Sequence, residues 1–222
     1  MKKINFPTLP KPAVACALAL TLACAVGLCA CSQQNAGRTS DAGSSTQPSG
    51  LVKSADYPNE VTAGALSLNY PDGFSVAKEY GAGQNAGNLP DGVGDTASAL
   101  LLNESGSVMI SVVGAEDSGK IGIDGLSSWI ADAPERLEKM KDSQPEMYES
   151  LKNIVREDPE KTTVNGFEAL HAATKSGAIA TETYYLAKNG AIAGYVSIAA
   201  PESDWNENRE TYESIIATTN VK

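Results

Sequence analysis

The chain holds a single histidine, His171, and no cysteine beyond position 31 of its 222 residues. These two shortages exclude much chemistry. A zinc or copper centre draws on several imidazole or thiolate ligands, a disulfide framework needs paired cysteines, and a nucleophilic serine or cysteine needs a base beside it. Basic residues are scarce as well, 17 against 27 acidic ones, for a net charge of −10. Such a chain repels nucleic acid and anionic headgroups, so no nucleic-acid partner is expected. Nor does any apolar run reach the about 20 residues that span a bilayer as a helix.

The longest apolar run, Ala13 to Leu28, is sixteen residues interrupted by Thr21 and Gly27, and Lys2, Lys3 and Lys11 precede it. A positive start, an apolar middle and a small residue before the end are the parts of a secretory signal in their usual order. Leu28-Cys29-Ala30-Cys31 closes the run. This stretch resembles the lipobox of bacterial lipoproteins. The resemblance implies cleavage before Cys31, a lipid on the Cys31 thiol, further acylation of the new amine by palmitate-type chains, and a place on the extracytoplasmic side of the cell membrane. Cys16, Cys24 and Cys29 would leave with the signal. Losing the three lysines as well leaves 14 basic against 27 acidic residues, a net of −13. Attachment is then expected from acyl chains, two or more of them, because each buried CH₂ contributes only about 0.8 kcal/mol.

Residues 32–60 are rich in Gln, Ser, Gly and Asn and have little to bury. They read as a flexible linker with an r.m.s. span on the order of 30 Å. The expected organisation is therefore a signal over 1–30, a lipidated N-terminus and linker over 31–60, and one globular domain over 61–222. A domain of that size buries roughly 70% of its unfolded surface, enough to stand without disulfides.

Within that domain Leu66, Leu68 and Tyr70 alternate with polar residues, Pro71-Asp72-Gly73 supplies a turn, and Phe74 and Val76 resume the alternation. A hairpin over these residues is expected. Glycines at 81, 83, 87, 92 and 94 with Pro90 make 81–94 an irregular excursion, the kind of long loop that often binds. Strands over 97–103 and 108–114 are apolar on both sides, so helices should cover both faces of their sheet. A helix capped by Asp124 places Leu126, Trp129, Ile130, Ala133, Leu137 and Met140 on one stripe, with a kink or a fresh start at Pro134. A second helix is expected over 145–156, with Ser143 and Glu146 spaced as a capping box. Asn165-Gly166 and Asn189-Gly190 mark two hairpins in an antiparallel sheet. Ser203 or Asp204 can cap a last helix bearing Trp205, Arg209, Tyr212, Ile215 and Ile216.

The fold class expected is α+β, an antiparallel sheet flanked by helices in an αβα sandwich. The opening Leu68-Asn69-Tyr70-Pro71-Asp72-Gly73-Phe74, the turn Val164-Asn165-Gly166-Phe167-Glu168-Ala169 and the closing Tyr212-Glu213-Ser214-Ile215-Ile216 resemble the PsbP-like fold, which is shared by Mog and small bacterial lipoproteins. The resemblance covers about residues 64–222. It implies a binding or assembly module without catalysis and brings no catalytic motif with it.

The remaining candidates are weak on their own residues. His171 shares a strand face with Phe167, Ala169 and Ala173 and reads as a structural histidine. Ser75-Val76-Ala77-Lys78 matches Ser-x-x-Lys, but the serine lies on a strand where the penicillin-recognising enzymes have a helix start. Gly81-Ala82-Gly83-Gln84-Asn85-Ala86 has the form of a dinucleotide turn, yet Gly87 and Pro90 forbid the helix that would hold the pyrophosphate. Asp91, Asp95, Asp117 and Asp124 lack the alternate spacing of a calcium loop. Tyr184 and Tyr185 point to opposite faces of one strand, so one of them is expected to be exposed. Trp129 and Trp205 fall on helix stripes and are expected in the core. No cofactor or metal is expected. The function expected is a lipid-anchored binding or assembly module engaging an envelope protein or glycan. The alternatives are an envelope hydrolase using carboxylates and a small-ligand carrier, which would need a sizeable apolar pocket.

Overall fold

The computed structural model describes residues 50–51, 56–81, 89–90, 93–116 and 120–222. The expected signal, Cys31 and most of the expected linker lie outside the described residues, as do 82–88 and 91–92 of the Gly-rich excursion and Asp117. The strands are β1 (Asn59–Ala63), β2 (Leu66–Tyr70), β3 (Phe74–Tyr80), β4 (Thr96–Asn103), β5 (Met109–Ala115), β6 (Val155–Arg156), β7 (Glu160–Val164), β8 (Phe167–Ser176), β9 (Ile179–Lys188), β10 (Ala191–Pro201) and β11 (Asn220–Val221). The helices are α1 (Ile123–Ala131), α2 (Ala133–Met140), α3 (Pro145–Leu151) and α4 (Glu202–Ile216).

The main sheet runs β3-β4-β5-β10-β9-β8-β6, with β7 also on β8, and its strand pairs are antiparallel. Two of its hairpins, β7–β8 and β9–β10, are those the Asn-Gly pairs announce. Asn165 and Gly166 have φ of 48° and 82°, and Asn189 and Gly190 have 54° and 78°. Two consecutive positive φ values give the turn whose twist matches the flanking strands.

One face of this sheet packs Leu101, Ile110, Tyr184, Leu186, Val196 and Ile198 against α4 and a second, three-stranded sheet, β1-β2-β11. The other face packs Val113, Leu170, Tyr185 and Tyr195 against Ile123 and Leu126 of α1. The α+β class, an antiparallel sheet with cover on both faces, is the architecture found. The small sheet shares the cover of one face, which the sequence reading does not anticipate.

Several local expectations differ from the structure. Leu66–Tyr70 and Phe74–Tyr80 do not form a hairpin; β2 pairs with β1 and β11, while β3 pairs with β4. Strand β2 is buried at nearly every position and needs neighbours on both edges and cover, whereas β3 lies largely exposed at the rim of the main sheet. The Pro71-Asp72-Gly73 turn carries the chain from one sheet to the other. The helix expected over 124–140 is two helices meeting at Asp132, with Pro134 in the first turn of α2, where its missing N–H costs nothing. Gly122 and Gln144 occupy the N-cap positions expected for Asp124 and Ser143, and Pro201 precedes α4, without side-chain caps. The second helix stops at Leu151, since Val155 and Arg156 pair with Lys175 and Thr174 at the edge of β8. Tyr184 and Tyr185 do point to opposite faces, but both are buried, because each face has its own cover. Leu51 joins the fold well ahead of β1 through hydrogen bonds with Thr163 and Asn165.

The two sheets touch where Gly114 and Gly194 stand opposite each other on β5 and β10. A Cβ on Gly114 would lie 1.9 Å from the Ala63 carbonyl oxygen, and the Ala65 N–H donates to Ala115 O at 2.9 Å beside it. The absent side chain is what lets the β1–β2 turn dock.

Candidate binding cleft and the histidine network

Between α1–α2 and the main sheet the packing thins. Tyr185 and Tyr195, tilted against one another at 5.4 Å, fill the space at one end, where Leu126 presses down on the sheet. Beyond them the same face carries small side chains. Register builds two cross-strand rows: Ala172, Thr183 and Ser197, and next to it Arg156, Thr174, Thr181, Ala199 and Met109. Trp129, Ile130, Ala133 and Arg136 of the helices lie opposite. Alanine, serine and threonine do not reach the helical layer, so a cleft is left. It encloses about 70 Å³ and widens to about 870 Å³ with its open mouth included.

Its lining is mainly apolar, with charge at specific positions. Arg136 lies over the Trp129 ring at 4.3 Å, and Arg156 donates to Ile154 O at 3.0 Å. Glu157, whose N–H donates to Ala173 O, adds one carboxylate. Among the described residues Thr181 Oγ1 is a buried side-chain oxygen without a hydrogen-bond partner, and it belongs to this lining. Trp129 is thus half-buried at the cleft, not in the core where its stripe placed it, while Trp205 is fully buried.

His171 lies on the opposite face. Its Nε2 is 3.0 Å from Glu182 Oε2, and its ring stacks on Tyr184 at 4.5 Å. Arg209 of α4 donates to Glu182 Oε1 at 3.1 Å and to Glu213 Oε1 at 3.4 Å. Burial works to raise the Glu182 carboxyl, but the hydrogen bond and charge of His171 together with Arg209 outweigh it and hold the group below the usual carboxylate range. Burial pushes the Tyr184 phenol well up, so it stays neutral. Trp205 anchors the same helix, donating from Nε1 to Ala180 O at 3.2 Å and meeting Tyr212 edge-on at 4.9 Å. Arg209 and Trp205 tie α4 to β9, and His171 joins β8 to the Glu182 carboxylate.

The other sequence candidates come apart. Ser75 and Lys78 stand on the exposed edge strand β3, separated by a bulge, and Lys78 Nζ lies 4.4 Å over the Tyr80 ring. Asp124 pairs with Lys161 at 2.6 Å. Among the described residues no three His, Cys, Asp or Glu side chains gather closely enough to hold a metal ion.

No family model and no curated protein matches the chain. Solved structures do. The chain is similar in structure to cyanobacterial PsbP (CyanoP) from Synechocystis sp. PCC 6803, with a TM-score of 0.46 and 11% identity, over 71% of this chain and 87% of that one. It is similar to a Bacteroides thetaiotaomicron VPI-5482 protein at a TM-score of 0.37 and 15% identity, over 71% of this chain but only 45% of that one. It is also similar to LpqN of Mycobacterium tuberculosis, a protein involved in cell envelope biogenesis, at 0.34 and 16%, over 74% and 90% of the two chains. The α+β class of this protein follows from its strand order and helix placement alone.

The cleft is what the sequence reading misses. Its signal is a set of small residues at alternate strand positions: 172 and 174, 181 and 183, 197 and 199. They become a floor only once the strand register sets them side by side.

Proposed function

We propose that this chain is a lipid-anchored, extracytoplasmic binding or assembly module that acts without catalysis and recognises its ligand or partner through the cleft between α1–α2 and the sheet. The cleft is the observation that carries the reading. It is a concave, mainly apolar site with a few placed charges, the usual form of a recognition site. Its lining has no histidine or cysteine, and the one histidine of the chain is engaged with Glu182 on the far face. The address rests on the lipobox-like Leu28–Cys31. No helix among the described residues is long and apolar enough to cross a membrane.

The test has two arms. Cys31→Ala should move the protein from the detergent phase to the aqueous phase. The purified chain should leave envelope glycans, esters and peptides unhydrolysed. Turnover that persists through purification and vanishes on substitution of one carboxylate would replace the binding module with the hydrolase.

A further inference from the structure

We infer that Asn189 is a site of spontaneous covalent modification, deamidating to aspartate and isoaspartate, while Asn165, in the same dipeptide and the same kind of turn, is spared. The chain holds two Asn-Gly pairs, and both close two-residue hairpin turns with positive φ at each position. The chemistry open to them is the same. The glycine backbone nitrogen gives its proton to water and attacks the asparagine Cγ; an N–Cγ bond forms, the Cγ–Nδ2 bond breaks, and Nδ2 takes up a proton and leaves as ammonia. Water then opens the cyclic imide at either carbonyl, giving aspartate or isoaspartate. Glycine permits the attack because it has no side chain to shield its nitrogen. A Cβ on Gly166 or on Gly190 would meet nothing within 4 Å, so both turns stand in open space.

What differs is the asparagine side chain. Asn165 Nδ2 donates to Thr219 O at 3.1 Å, and the Asn165 N–H donates to Leu51 O at 2.9 Å. Asn189 is exposed, and its side-chain amide has no hydrogen-bond partner among the described residues. The attack needs Cγ to swing onto the next nitrogen, which a tethered amide can do only after its hydrogen bond breaks. Exposed turns open locally at little cost, so the free side chain of Asn189 meets the requirement first. The two products then part ways. Asp-Gly suits this turn as Asn-Gly does, so aspartate leaves the hairpin in place. Isoaspartate puts an extra carbon into the main chain of a two-residue turn, and that turn abuts the start of α1. A Cβ on Gly122 would lie 2.8 Å from Gly190 O, and the Ile192 N–H donates to Ile121 O at 2.8 Å. Isoaspartate at 189 therefore loosens the first turn of α1, the helix whose Trp129 and Ile130 wall the cleft.

The test holds the full chain in detergent and mildly alkaline buffer, folded or unfolded in urea, and follows both turn peptides by mass spectrometry. In urea the two asparagines should convert at similar rates. In the folded chain Asn189 should convert at least about fivefold faster than Asn165, the factor by which one ordinary hydrogen bond depletes the freed side chain. Asn189→Asp should keep the thermal midpoint near that of the unaltered chain. The isoaspartyl form, separated by chromatography, should exchange faster at the Ile192 amide and in the first turn of α1. Asn165 converting as fast as Asn189 in the folded chain would overturn the inference. So would an Asn189 still intact in the folded chain when the unfolded chain has converted. An Asn189→Asp variant with a clearly lowered midpoint, or an isoaspartyl form with unchanged exchange at α1, would overturn the account of the two products.

Discussion

His171 and Glu182 are diagonal neighbours on β8 and β9, with Nε2 and Oε2 3.0 Å apart, and Arg209 closes on the same carboxylate from α4. Because the Glu182 carboxyl titrates lower in the fold than in the unfolded chain, its ionised form stabilises the fold. That contribution is complete above the unfolded glutamate value of about 4.3 and is lost as pH falls through the lower folded value. Urea unfolding between neutrality and pH 3 should show a loss of stability below about pH 4.3 that Glu182→Gln reduces. At neutral pH the same variant should cost about 1.5–3 kcal/mol, the scale of a hydrogen bond to a charged group. An unchanged acid limb would contradict this.

Trp205 is 1% exposed and holds α4 to the sheet through its hydrogen bond to Ala180 O, with Tyr212 of the same helix edge-on against its ring. Trp205→Ala should cost about 3–5 kcal/mol, measured by equilibrium denaturation. A change under about 1 kcal/mol would place the tryptophan outside the core.

Much of this fold is legible in the chain. The Asn165-Gly166 and Asn189-Gly190 hairpins and the Trp205–Ile216 helix stripe are local patterns, settled by turn chemistry and by a spacing of three and four. What is not legible depends on partners far away in sequence. Pro71-Asp72-Gly73 looks like a hairpin turn because both its arms alternate. Only the pairing of β2 with β1 and β11, and of β3 with β4, puts them in different sheets. One of Tyr184 and Tyr185 reads as exposed, until α4 and the small sheet cover the face of the first and α1 that of the second. The cleft depends on the register of β8, β9 and β10 together, and no window along the chain contains it.

Gly114→Ala should destabilise the protein by about 1–3 kcal/mol through overpacking, since its Cβ would meet the Ala63 carbonyl oxygen at 1.9 Å. The unfolding midpoint checks this. A neutral substitution would mean that the two sheets separate freely there.

The α2–α3 pair buries Leu137, Leu151 and Ile154 in a small cluster apart from the two main cores. Its amides should exchange faster than those of β5 and β10, whose strands lie at the centre of the sheet. Equal protection would show that this pair opens only with global unfolding.

The claim that recognition occurs at the cleft is tested most directly by hydrogen-exchange mass spectrometry on the full chain, before and after adding a solubilised envelope extract of its host. Protection should appear at 129–136, 172–174, 181–183 and 197–199, and Thr183→Leu should remove it. Protection confined to the β3 edge or to residues 81–94, or protection unchanged by Thr183→Leu, would contradict the account.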